Sequence, residues 1–220
     1  EKISGIAATG SDVPLGHFSY KGMEEDNNRL FVLLKHIYAG LHIATKLDPT
    51  YGSLRTIRIK KVELTAVGIK EKVDLTIRLS ANDTGTDPLE SVSYVPASSS
   101  AIDKTITLYE KTDEADDFGV AVPTDDYNDF LACLVPAATD NFILRTTYDV
   151  YDKDTSVKPE GNLLRENCVA ENVINSTKIT SFPILNVGEL FTVRMLIEPT
   201  FLYVLSDPDL DNPTFTITTP

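Results

Sequence analysis

Tryptophan is absent from the 220 residues, and only two cysteines, two methionines and three histidines stand among them. Without tryptophan, and with 9 tyrosines scattered along the chain, the sequence shows no aromatic platform for stacking sugars. Cys133 and Cys168 allow one disulfide or none, and the sequence leaves that choice open. Neither belongs to a Cys-x-x-Cys pair and no histidine lies near them in the chain, so zinc spacing is missing. Basic residues are also few. With 20 Lys and Arg against 33 Asp and Glu, the formal net charge is −13. Phosphate backbones would be repelled and no Lys/Arg cluster offsets this, so no nucleic-acid partner is expected. The charge reads as solubility and repulsion between copies. No apolar run reaches the ~18 residues of a membrane helix, so no transmembrane segment is expected in this chain. The opening "EKISGIAATG" has no charged n-region and apolar h-region, so no signal segment is expected in it.

What the sequence does contain is period-two alternation, the mark of strands with one face in a core and one in water. In "VDLTIRL", Val73, Leu75, Ile77 and Leu79 take one face, and Asp74, Thr76 and Arg78 the other. "LFTVRMLIEP" places Phe191, Val193, Met195 and Ile197 inward and Thr192, Arg194 and Glu198 outward, and "FILRTTYDVYD" follows the same rule. "TIRIKKVELTA" alternates with a slip: Ile57 and Ile59 share one parity, Val62 and Leu64 the other, with Lys60–Lys61 between. One extra residue there, a β-bulge, restores a single apolar face.

Two stretches are less decided. In "RLFVLLKHIYAGLHIATKL", Phe31, Leu33, Ile37, Ala39, Leu41, Ile43 and Leu47 share a parity, which fits one long strand; the length favours a helix, and Gly40 with the β-branched residues after it favours the strand. In "TDDYNDFLACLVP", helical spacing competes with a strand from Phe130 to Val135 ended by Pro136, and the strand is preferred.

Short strands between Gly/Pro/Asp/Asn segments indicate an all-β chain built as a sandwich or a pair of them. The polar stretch from Ala81 to Lys104 lacks sustained alternation, so a domain junction is placed near residue 95, giving units 1–95 and 96–220.

Chemical motifs are scarce. In "SDPDLDNPTFTIT", Asp207, Asp209 and Asp211 match the first positions of a calcium loop, but Asn212 stands at the glycine position and Thr218 at the glutamate position. The stretch therefore reads as a Pro-Asx turn. Calcium or a chelator is expected to leave the melting temperature unchanged; a shift of several degrees under millimolar calcium would revive the loop as a site. His36 and His42 share a parity, yet six residues along a strand span about 20 Å, too far for one ion unless the chain bends. Asp116–Asp117 and Asp125–Asp126 read as loop charge, and Asn82-Asp-Thr84 and Asn175-Ser-Thr177 match the glycan-acceptor pattern only weakly. No phosphate loop, nucleophile elbow, His-Glu-x-x-His or dinucleotide fingerprint occurs, so neither an enzyme nor a cofactor is expected.

Three stretches together resemble a known family. "RLFVLLKHIYAGLHIATKLDPTYGSLRTIRIKKVELTA" resembles its His-containing strand, long loop and following strand. "FLACLVPAATDNFILRTTYDVYDKD" with "GNLLREN" resembles its strand ending at Pro, its Tyr-x-Val-Tyr-Asp strand and a Gly-Asn turn. "LNVGELFTVRMLIEPTFLYVLSDPDLDNPTFTI" resembles its closing strands. The family is the fimbrillin-like, or type V pilin, group of Gram-negative anaerobes. The resemblance implies two tandem transthyretin-like β-sandwich domains. Family members carry more chain ahead of the His-containing strand than stands here, which leaves the N-terminal domain open to being incomplete. It also implies a lipoprotein precursor exported to the outer membrane and cell surface, with other fimbrial subunits, of the same or a related kind, as partners. Assembly would follow when a neighbour's strand fills the groove left by a proteolytically removed one, a β-augmentation. No catalytic, cofactor or metal residues are carried over.

"TFTIT", residues Thr214, Phe215, Thr216, Ile217 and Thr218, alternates between Pro213 and Pro220. It is expected either to complete its own sandwich as an edge strand or to serve as the donor strand to a neighbour. The alternative to a fimbrial subunit is a surface β-sandwich that binds a glycan or host protein and does not polymerise.

Overall fold

A computed structural model describes residues 2–6, 14–19, 31–36, 38–70, 73–79, 89–96, 102–114, 117–134, 141–179, 182, 185, 186, 188–198 and 213–218. The described elements are almost entirely strands: β1 (Lys2–Ile6), β2 (Pro14–Ser19), β3 (Phe31–His36), β4 (Ala39–Leu47), β5 (Arg55–Lys70), β6 (Val73–Leu79), β7 (Leu89–Pro96), β8 (Ile102–Glu110), β9 (Val120–Ala121), β10 (Asn128–Leu134), β11 (Phe142–Asp152), β12 (Leu163–Ile174), β13 (Leu190–Ile197) and β14 (Thr214–Thr218). One helical turn, α1 (Pro49–Gly52), joins β4 to β5; Asp48 caps it by accepting the Tyr51 N–H at 2.9 Å.

Two sheets share one core. The first has the order β10-β4-β13-β14; the second runs β12-β11-β5-β8, with β9 added against β5. Alternation explains the packing. Ile57, Ile59, Val62 and Leu64 of β5, Phe142 and Leu144 of β11, and Phe191, Val193, Met195 and Ile197 of β13 are all buried in one cluster. The slip in β5 is a bulge: Lys61 stands opposite Thr147 and Ile59 opposite Tyr148, so Lys60 is the extra residue and both apolar pairs face inward. β10 is a strand as expected, begins at Asn128 and turns Phe130, Ala132 and Leu134 inward.

Three expectations change. The long run from Arg29 to Leu47 is not one strand. β3 pairs with β2, whereas β4 lies between β10 and β13, and a bend at Tyr38 separates them. The bend is held by two backbone bonds: the Gly188 N–H donates to Tyr38 O at 3.0 Å and the Gly40 N–H to Glu189 O at 2.8 Å. Within the polar stretch from Ala81 to Lys104, Leu89–Pro96 is a strand, β7, paired with β6, and β8 begins at Ile102. Strands from both sides of residue 95 also hydrogen-bond each other: β4 with β10 and β13, and β5 with β8 and β11. The sandwich therefore draws on residues 39–70 and on the strands from β8 onward. The described strands form two further sheets, β1-β6-β7 and β2-β3. The strand β6 forms where alternation places it, while the inward set Val73, Leu75, Ile77 and Leu79 lies outside the described side chains.

Cys133 is on β10 and Cys168 on β12, in different sheets, and they form no disulfide. The turn between β11 and β12 depends on Gly161, whose φ is +89° and where the carbonyl of Asp152 occupies the place of a side chain. A methyl there would overlap that carbonyl, whereas at Gly188, φ +77°, no described residue stands within 4 Å of where the methyl would be. Gly161→Ala is expected to cost about 2–4 kcal/mol, and Gly188→Ala only the backbone term of about 1–2 kcal/mol. Urea melts of the two variants side by side check this; equal losses would mean that overlap plays no part.

Candidate functional site

The five residues expected to be able to donate, Thr214–Thr218, form β14, at one edge of the four-stranded sheet. β14 runs antiparallel to β13, with Val193 opposite Ile217 and Met195 opposite Phe215. Phe215 and Ile217 are half-buried against the core, and Thr214, Thr216 and Thr218 are exposed. Two side-chain bonds tie it down: Arg194 Nη1 donates to Thr218 Oγ1 at 2.8 Å, and Thr214 Oγ1 donates to Glu198 Oε2 at 2.8 Å. Both are exposed and add little. Among the described strands, β14 is therefore a short strand with a neighbour on one side only. β13 beneath it runs parallel to β4, so β14 caps a strand whose other partner is central to the sheet.

A second feature lies on the outer face of the same sheet. Gly40, Cys133 and Leu190 share one row across β4, β10 and β13, and His42, Leu131 and Thr192 the next. Gly40 has no side chain, and Leu190 leans across the space where one would stand. The result is a mainly apolar pocket of about 170 Å³ lined by residues including His36, His42, Cys133, Glu189 and Leu190. The bend at Tyr38 brings His36 and His42 to one pocket, which a continuous strand would have kept apart. Among the described residues, no group of three His, Cys, Asp or Glu side chains is placed to hold a metal. Glu189 is engaged by Asn186 Nδ2 at 2.9 Å.

The remaining sequence candidates are structural. Asp117 accepts the Gly119 N–H at 2.8 Å and the Thr112 N–H and hydroxyl, and these bonds hold its carboxyl below the ordinary aspartate range. Its role is to shape the turn that brings Phe118 against Arg58, 5.9 Å from ring centre to guanidinium. Asn175 Oδ1 accepts the N–H groups of Thr177 and Lys178 at 3.0 Å each, an Asx turn. Asp125 and Asp126 are exposed. Asn82, Asp116 and the Asp207, Asp209 and Asp211 loop lie outside the described residues.

No family model matches the chain, and no curated protein matches it. Among solved structures, the chain is similar to a candidate cell adhesion protein from Bacteroides fragilis at TM-score 0.41 and 7% identity, covering 87% of this chain and 52% of that one. It is also similar to a candidate cell adhesion protein from Bacteroides uniformis, at TM-score 0.39 and 15% identity over 82% of this chain and 53% of that one. A fimbrial protein from Bacteroides vulgatus gives TM-score 0.38 and 14% identity, over 83% of this chain and 55% of that one. The chain thus spans about half the length of the solved structures it matches.

Proposed function

We propose that this chain is a structural or adhesive subunit of surface fimbriae and that it assembles by β-strand donation between copies or related subunits. The observation that carries the reading is β14: a five-residue strand at a sheet edge, paired on one side to β13, with only Phe215 and Ile217 turned toward the core. Such a strand gains a full row of ladder bonds and two buried side chains wherever it finds an open β-edge. The likeness of three sequence stretches to fimbrillins supports the same reading, as does the all-β sandwich itself. The place of action is then the outer surface of the cell, and the expected partners are other subunits.

The experiment is electrophoresis of the secreted protein after proteolytic maturation. Ladders of oligomers that resist SDS are expected. A species that stays monomeric and is retained on glycan or host-protein arrays would overturn assembly in favour of a surface binding module. The pocket over Gly40 is the feature that favours this second reading.

A further inference from the structure

Lys60, Asp149 and Asn167 come from three adjacent strands and meet on the outer face of the five-stranded sheet. Lys60 is the bulged residue of β5. β12 is irregular at the same level: Cys168 stands opposite Tyr148 and Arg165 opposite Val150, and between them Asn167 takes φ +54°. A non-glycine residue in that region is uncommon, and asparagine tolerates it best. Two irregularities thus flank Asp149 from opposite sides, and bulges re-aim side chains.

Their effect is a closed triangle. Lys60 Nζ lies 2.7 Å from Asn167 Oδ1 and 3.2 Å from Asp149 Oδ2, and Asp149 Oδ1 accepts the Asn167 backbone N–H at 2.7 Å. Asp149 is 5% exposed. Its cross-strand neighbour Arg58 stacks on both Phe118 and Tyr151, which wall this end of the sheet with aromatic surface. An ion pair alone would need only Lys60 and Asp149. Here a primary amine is also held against a carboxamide, with a buried carboxylate touching both residues.

We propose that Lys60 and Asn167 are the reactants of a self-formed amide cross-link, with Asp149 as the proton carrier. Proton transfer within the Lys60–Asp149 pair gives a neutral amine and a carboxylic acid. Lys60 Nζ attacks Cγ of Asn167, and the acid hydrogen-bonds the oxygen that gathers charge, as a positioned donor does in acyl transfer. Asp149 relays a proton from Nζ to Nδ2, the Cγ–Nδ2 bond breaks, and ammonia leaves. The product is one Nζ–Cγ amide. The proton first taken by Asp149 departs on ammonia as ammonium, and the carboxylate is restored. No oxidant, metal or second substrate enters. Because the two residues lie 107 apart in the chain, the link closes a long loop and ties the edge strand β12 to β5 across β11. Constraining so long a loop acts chiefly on the unfolded chain. The proposal does not rest on the fimbrial reading.

Intact-mass measurement of the purified, denatured chain decides it. The wild-type chain is expected to be lighter than its sequence mass by one ammonia. Trypsin is expected to release a branched peptide joining residues 59–61 to residues 166–178 through Lys60 and Asn167. Lys60→Arg and Asp149→Asn each keep a polar group of similar shape, and each is expected to restore the full sequence mass of the variant. A wild-type chain at full sequence mass after prolonged incubation at neutral pH overturns the proposal. So does ammonia loss without the branched peptide, which marks a succinimide instead, and so does cross-linking that survives Asp149→Asn unchanged, which removes the carboxylate from the mechanism.

Discussion

Leu144→Ala is expected to lower stability by about 2–5 kcal/mol, the usual range for deleting a large buried aliphatic side chain. Leu144 is fully buried at the middle of β11. It sits in a row that crosses the sheet from Asn172 through Leu144 and Leu64 to Ile106, all facing the shared core. Both neighbouring strands are fixed by ladder bonds, so the space left by three carbons closes poorly. At ~2–4 °C per kcal/mol for a chain of this size, the melting temperature should fall by about 4–20 °C. The same experiment contains its control. Ile143 is one residue away on the opposite face and only half-buried, so Ile143→Ala should cost less than about 1.5 kcal/mol. Urea unfolding followed by circular dichroism reads both, with the midpoint moving and the slope preserved. Equal losses at 143 and 144 would mean that β11 does not present alternate residues to core and solvent.

How much of this was legible depended on whether a strand is covered on one face or two. β13 has one buried face, and its parity alone names Phe191, Val193, Met195 and Ile197 as core. β5 could be read through its slip because the apolar residues resume on the other parity after Lys60, and the bulge sits at that residue. β4 is different. Ala44 and Thr45 are both buried, so near its end it has no water-facing register to mark its limits, and its apolar run merges with that of β3. The bend at Tyr38 is set by backbone bonds to Gly188 and Glu189, residues far away in sequence that no local pattern names. β7 is hard to see in the sequence because Ser91 and Ser93 dilute its alternation, although Val92 and Tyr94 keep the period. The parallel pairing of β4 with β13 depends on which distant strand arrives beside it. The same holds for the triangle of Lys60, Asp149 and Asn167. The sequence displays the slip at Lys60, but only the pairing of three strands brings an asparagine and an aspartate to it.

Removing Asp207–Pro220 is the test with the largest expected effect on assembly. The deletion takes away β14, with five ladder positions against β13 and the half-buried side chains of Phe215 and Ile217. Half-burial of two large apolar side chains is worth roughly 2–3 kcal/mol in all. The sheet keeps β10, β4 and β13, and the inward residues of β13 remain covered by the opposing sheet, so the shortened chain should fold. It should melt below the wild type and no longer enter SDS-resistant ladders. Loss of stability alone is expected of any edge strand, so the decisive measurement is made in trans. A synthetic peptide of residues 207–220 should bind the shortened chain and raise its melting temperature toward that of the intact one, because the free edge of β13 offers the same ladder to a strand from any source. Replacing Phe215 and Ile217 of the peptide by Asp should abolish that rescue, since two charges would be carried into an apolar margin without partners. If the native peptide leaves the shortened chain unchanged while ladders are still lost, β14 serves its own sandwich only. If ladders persist without it, another segment performs the exchange.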